Sequence, residues 1–190
     1  MLMPQSRPPR RKEDGAIQTF LPYPDFERSV RVLDTKRLGK QRVETLQIIQ
    51  VLLAMRWDPA LDRPIEHPPR GWRTHPAVLM WQGHELALLE YQRLTCAAWT
   101  ERGFGDTCAV KTAGLVAARE LGRQSPPPWL GDEALHRSHQ SNLIRKAPDL
   151  YGPLFPGVPD DLPYYWPVRA AQGQAIDGKR DEQVAAEDEV

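Results

Sequence analysis

The residues best suited to chemistry crowd into two stretches. From Arg28 to Arg42 there are six cations, Arg28, Arg31, Lys36, Arg37, Lys40 and Arg42, against one anion, Asp34. Immediately after comes Glu44, and no Gly or Pro interrupts the chain from Gln41 to Pro59. Arg37, Lys40, Glu44 and Gln47 share one helical face, whereas Val43, Leu46, Ile49 and Leu53 recur at the spacing of a buried face. A cationic stripe holding one carboxylate, stiffened by an apolar back, suits phosphate binding beside an acid. The plainer alternative is the solvated face of an amphipathic helix. The second stretch, Glu133–Lys146, reads EALHRSHQSNLIRK. Arg137, Arg145 and Lys146 suit phosphates, while His136, His139, Gln140 and Asn142 offer donors and acceptors for base edges. Here the alternative is a helix that buries Leu135, Leu143 and Ile144 and solvates the rest.

Other chemistries find little support. His136 and His139 stand three residues apart, a spacing that can bind metal, but no CxxC or HExxH accompanies them. Gly39-Lys40 lacks the remainder of a phosphate loop, and there is no GxSxG elbow. Neither Cys96 nor Cys108 carries a catalytic-thiol signature, and two cysteines make no disulfide framework. Trp72, Trp81, Tyr164, Tyr165 and Trp166 are flat surfaces near basic residues that can stack on an extruded base or pack in the core.

Helices are the elements that must position these groups. Gln18–Pro24 alternates aromatics with prolines and is expected to be extended. Asp25 caps a short helix through Val32, and the basic stretch Leu33–Leu53 forms the next. Trp57–Trp72, with four prolines, is expected to be a loop. Thr74–Arg102 is expected to be one helix of about 40 Å, with a close packing contact at Gly83. A shorter helix spans Thr107–Leu121, and Asp132 caps another over Glu133–Lys146. The Pro- and aromatic-rich remainder is expected to strap the core. No alternation persists long enough for a sheet. The expected fold is all-α: one compact helical domain over residues 17–168, with disordered arms at 1–16 and 169–190.

Composition sets outer bounds. Twenty-five Lys and Arg balance 25 Asp and Glu over 190 residues, which excludes a bulk polycation but not a local basic groove. Six of the balancing acids lie in Arg169–Val190. There is no membrane-length apolar run and no hydrophobic region behind the N-terminal charges. A cytoplasmic protein, nucleoid-associated when bound to DNA, is expected.

Taken together, Thr19–Phe26, Lys36–Arg42, Gly71–Pro76 and His136–Leu143 resemble motifs of the phage-type pyrimidine-dimer DNA glycosylase/AP lyase family (endonuclease V), most closely its bacterial members. The resemblance covers about residues 17–168. It implies an all-helical fold, a cationic surface for double-stranded DNA, and strand cleavage without metal or cofactor by a monomer. In that family a terminal α-amine attacks the sugar C1′ to give a Schiff base, and a glutamate positions the reactants. An α-amine ionises near 8 and a lysine near 10.4, so a terminus is the easier nucleophile at neutral pH. The matching amine is that of Ile17, if the chain starts there, with Lys36 or Lys40 as substitutes. Where the phage pattern has Arg-Glu-Leu-Pro-Arg, this chain reads Lys36-Arg-Leu-Gly-Lys, with Arg37 at the acid's place. Glu44, about two turns on, is then the candidate acid. The expected phosphate contacts are Arg37, Lys40, Arg42, Arg137 and Arg145, with Arg73 and His75 contributing from the Gly71–Pro76 motif and His136, His139 and Asn142 near the lesion. Five phosphate contacts give a log–log salt slope of about −4.5. Non-catalytic DNA binding and a glycosylase without lyase activity are the alternatives.

Overall fold

The extended segment from Ile17 to Pro24 passes through the interior, with Ile17, Phe20 and Leu21 fully or nearly buried. Its prolines exclude a helix, and it pairs with no strand among the described residues. Buried peptide groups must still find partners, and here side chains supply them. Gln41 receives the Phe20 N–H (2.5 Å) and donates to the Gln18 carbonyl. Tyr91 Oη donates to the Phe20 carbonyl (2.8 Å). His139 Nδ1 accepts the Leu21 N–H (2.9 Å), and His136 Nδ1 lies 2.8 Å from the Leu21 carbonyl. Gln140 donates to the Pro22 carbonyl (2.7 Å), and Ser29 Oγ meets both polar groups of the Tyr23 backbone.

The computed structural model describes residues 17–167. The expected disordered arms, residues 1–16 and 169–190, lie outside the described residues. The order is α1 (Phe26–Arg31), α2 (Thr35–Leu53), β1 (Met55–Asp58), β2 (Arg63–Glu66), α3 (Pro76–Leu79), α4 (Glu85–Glu101), α5 (Cys108–Ala118), α6 (Glu133–Lys146) and α7 (Pro148–Tyr151). The mainly helical fold is as expected. Helix α2 packs against both α4 and α5. Asp25, Asp34 and Asp132 cap α1, α2 and α6 through side-chain bonds to backbone N–H groups. Gly39 makes the α2–α4 approach possible, since a Cβ there would lie 2.9 Å from the Trp99 ring.

Four expectations need correction. Part of the expected loop is a hairpin, with Met55–Asp58 antiparallel to Arg63–Glu66. Its short strands gain stability from packing on α5, a tertiary contribution that alternation over four residues does not announce. The single long helix is two, α3 and α4. Gly83 adopts φ +79°, a conformation that suits glycine and ends the helical path, and no neighbour would crowd a Cβ there. Val43, assigned to the buried face of α2, is exposed, whereas Glu44 beside it is buried. Trp81 lies fully inside, donating to Thr19 Oγ1 (3.0 Å), and so cannot stack on a base.

After α7 the chain runs as the expected strap. Arg145 holds it by donating to the carbonyls of Asp160 (2.7 Å) and Leu162 (2.6 Å), while Ser141 Oγ accepts the Leu162 N–H (3.0 Å).

The substitution Gln41→Leu keeps much of the side-chain volume but strands the Phe20 N–H and the Gln18 carbonyl. An orphaned buried polar group costs about 1–3 kcal/mol. Urea unfolding at neutral pH is therefore expected to show a loss of at least about 2 kcal/mol with an unchanged m-value.

Candidate active site

The same segment delivers its first residues to Glu44. The Gln18 backbone N–H donates to the Glu44 carboxylate, one peptide from Ile17. Gln41 Nε2 lies 3.3 Å from Glu44 Oε2, and Lys40 Nζ lies 3.4 Å from Oε1. Lys146, from the last turn of α6, adds a second positive charge nearby. Burial pushes the Glu44 carboxyl up to about 7, against the opposing effects of Lys40, the Gln18 N–H and Lys146. A carboxyl poised near neutrality can accept or donate a proton at physiological pH. Lys40, about half exposed, forms the rim of this site.

Two buried histidines of α6 hold the extended segment that meets Glu44. Desolvation depresses the His139 pKa to about 3, so the ring is uncharged. Because Nδ1 accepts from Leu21, the proton sits on Nε2, 3.3 Å from the Gln18 amide. His136 is fixed likewise: Nε2 accepts the Gly131 N–H (3.0 Å), so Nδ1 carries the proton donated to Leu21. Both rings are thereby committed to the backbone of the extended segment.

The remaining candidates divide by environment. Arg37 pairs with Asp34, the α2 cap, and lies over the Tyr151 ring at 5.3 Å. Arg42 pairs with Asp106 (2.5 Å) and lies over Trp99 at 4.9 Å. Asn142 is buried, donating to the Ser138 carbonyl (2.9 Å) and accepting from Arg145 (3.1 Å). These groups hold the helices and the strap together. Arg137 is half-buried on a shallow groove with Leu162, Pro163 and Tyr165. Arg73 is exposed, and His75 caps α3 by accepting the Ala77 N–H at 3.1 Å.

Glu44 and Ile17, distant in sequence, lie close together, since Gln18, next to Ile17, bonds to the Glu44 carboxylate. Gln18 and Tyr91 also belong to the site's surroundings, although no role was expected of them, and Lys146, expected to meet phosphates, lies near the Glu44 carboxylate.

The family model for pyrimidine dimer DNA glycosylase matches residues 17–112. The chain belongs to the pyrimidine dimer DNA glycosylase family. The match begins at the extended segment and includes Lys40, Gln41, Glu44 and Tyr91, while α6 and the strap lie beyond it. No curated protein and no solved structure matches the chain. Among the described residues, no helix is long and apolar enough to cross a membrane, and the family directs attention to DNA as the substrate.

The raised pKa of Glu44 makes stability depend on pH in this glycosylase-family chain. Unfolded, the group ionises at its ordinary value of 4.5, and folded at about 7. Below pH 4.5 both states are protonated and there is no penalty; as pH rises through 7 the folded state bears the full cost of the buried charge. Glu44→Gln removes that cost. Its unfolding free energy relative to the unsubstituted protein is expected to rise by up to about 3 kcal/mol between pH 4 and pH 8, measured by urea titration at each pH.

Proposed function

We propose that this protein removes damaged or modified pyrimidines from double-stranded DNA and then cuts the strand at the abasic site through an amine Schiff base. One observation carries the reading: a buried carboxyl with a pKa near 7 stands where the Gln18 N–H reaches it, one residue from Ile17. In a chain beginning at Ile17, the α-amine attacks the sugar C1′. The C1′–N1 bond breaks, and the base leaves with its electron pair and takes up a proton. The attacking amine loses a proton, the sugar ring opens as the C1′–O4′ bond breaks and O4′ takes up a proton, and the nitrogen lone pair closes onto C1′ as an iminium. Removal of a C2′ proton then expels the 3′ phosphate as the C3′–O bond breaks. Glu44 takes and returns the protons of these steps and orients the amine.

The 3.4 Å approach of Lys40 Nζ to Glu44 supports a second assignment of the amine. Lys40 requires no free terminus, but a lysine side-chain amine is in general more basic than a chain terminus and so the poorer nucleophile at pH 7. DNA phosphates are held by Lys40, Arg73 and Arg137, joined by His75 at the rim of α3. Arg37, Arg42 and Arg145 already serve internal partners, which favours a salt slope shallower than about −4.5.

Borohydride reduction during turnover on ultraviolet-damaged or abasic duplex DNA tests this reading. A covalent adduct is expected, and peptide mapping should locate it at Ile17 in a preparation starting there, or at Lys40. Glu44→Gln is expected to slow adduct formation about 10²- to 10⁴-fold. Base release without an adduct marks a glycosylase lacking lyase activity; binding without base release marks a DNA-binding protein alone. Either result overturns the Schiff-base mechanism.

A further inference from the structure

Ahead of α3, Trp72 stands in a conformation that packing alone does not explain. Its backbone has φ +65°, a left-handed value that is a genuine outlier for a bulky side chain, and its surface is 45% exposed. Strained backbone of this kind persists where the surroundings over-determine it, often at functional positions. The Trp72 carbonyl accepts the His75 N–H at 3.0 Å, and the His75 ring stacks on the indole with centroids 5.9 Å apart at 28°. His75 is itself fixed as the α3 cap and meets Trp166 edge-on at 6.0 Å. The indole is thus backed on one side and presented to solvent.

Its surroundings are cationic. No acidic residue occurs between Glu66 and Glu85. Arg70 and Arg73, two before and one after Trp72, are exposed and form no ion pair among the described residues. The loop is also tied to the candidate site. Helix α3 packs on α2, which carries Glu44. Behind His75, ring contacts continue from Trp166 to Tyr164 (5.6 Å) and from Tyr164 to His139 (6.2 Å), beside Gln18.

We propose that Trp72 is a stacking platform for a nucleobase left unstacked at a damaged site, with Arg70 and Arg73 on the flanking phosphates. The proposal rests on the DNA-repair reading above and adds to it the surface that senses the opened stack. A large, rigid π-face flanked by unpaired cations matches a base between two phosphates. In intact duplex DNA both faces of a base are covered by neighbours, so the platform engages only where a lesion or extruded nucleotide has opened one. Stacking of one base is worth about 5- to 150-fold in affinity.

The test uses the full chain and two otherwise identical duplexes, one intact and one carrying a single tetrahydrofuran abasic analogue, which cannot react. Trp72→Ala is expected to weaken binding to the analogue duplex about tenfold and to leave intact-duplex binding within about twofold. Trp72→Phe should restore most of the difference. The Arg70→Gln, Arg73→Gln double variant should weaken binding to both duplexes alike and make the salt slope shallower by about 1.8. Circular dichroism and thermal melting establish that each variant is folded. Unchanged discrimination in Trp72→Ala, or an equal loss on both duplexes, overturns the platform. An unsubstituted protein that fails to distinguish the duplexes overturns the platform and weakens the repair reading with it. Selective loss in Trp72→Ala alongside no borohydride adduct in the unsubstituted protein leaves the platform standing and removes only the lyase mechanism.

Discussion

The structure depends on a stretch of buried backbone that has no backbone partner among the described residues. Residues 18–23 run extended through the interior, and an unpaired strand there would be prohibitively costly in water-free surroundings. Gln41 from α2, Tyr91 from α4, and His136, His139 and Gln140 from α6 take the place of a neighbouring strand. Each of these side chains is long enough and polar enough to reach a peptide group while its own helix packs elsewhere. The segment therefore locks three helices at once, and the helices in turn fix where the segment begins.

That dependence also shapes the candidate chemistry. A carboxylate on the exposed face of α2 would ionise at its ordinary value. Glu44 does not, because it is buried beneath the extended segment, which removes its water. The same closure places a peptide N–H on the carboxylate and brings up Lys40 and Lys146. A carboxyl that holds its proton near pH 7 is a product of that enclosure, as is the nearness of Ile17.

The basic residues serve two purposes. Arg37, Arg42 and Arg145 are drawn inward by Asp34, Asp106 and the carbonyls of the strap. Arg70, Arg73 and Lys40 remain toward solvent. A count of cations along the chain mixes these classes, so fewer of them are free to meet an external partner than the sequence implies.

Much was legible in the sequence. Proline spacing marked the extended start, aspartates marked the caps of α1 and α6, and apolar spacing marked α2 itself. Glu44 stood out as the one carboxylate of the cationic stripe, because these signals are local. Other features depended on distant partners. The hairpin exists because α5 supports it, and the break at Gly83 reflects a turn that no hydrophobic period records. The HRSHQSN motif looked like a set of contacts for DNA, yet His136, His139 and Asn142 face inward, since only the fold brings the peptide groups of residues 18–23 within their reach. Residue type and spacing determined which elements form and which side chains are capable of chemistry. Tertiary structure alone decided which of them are buried, since desolvation and pairing are set by neighbours far away along the chain.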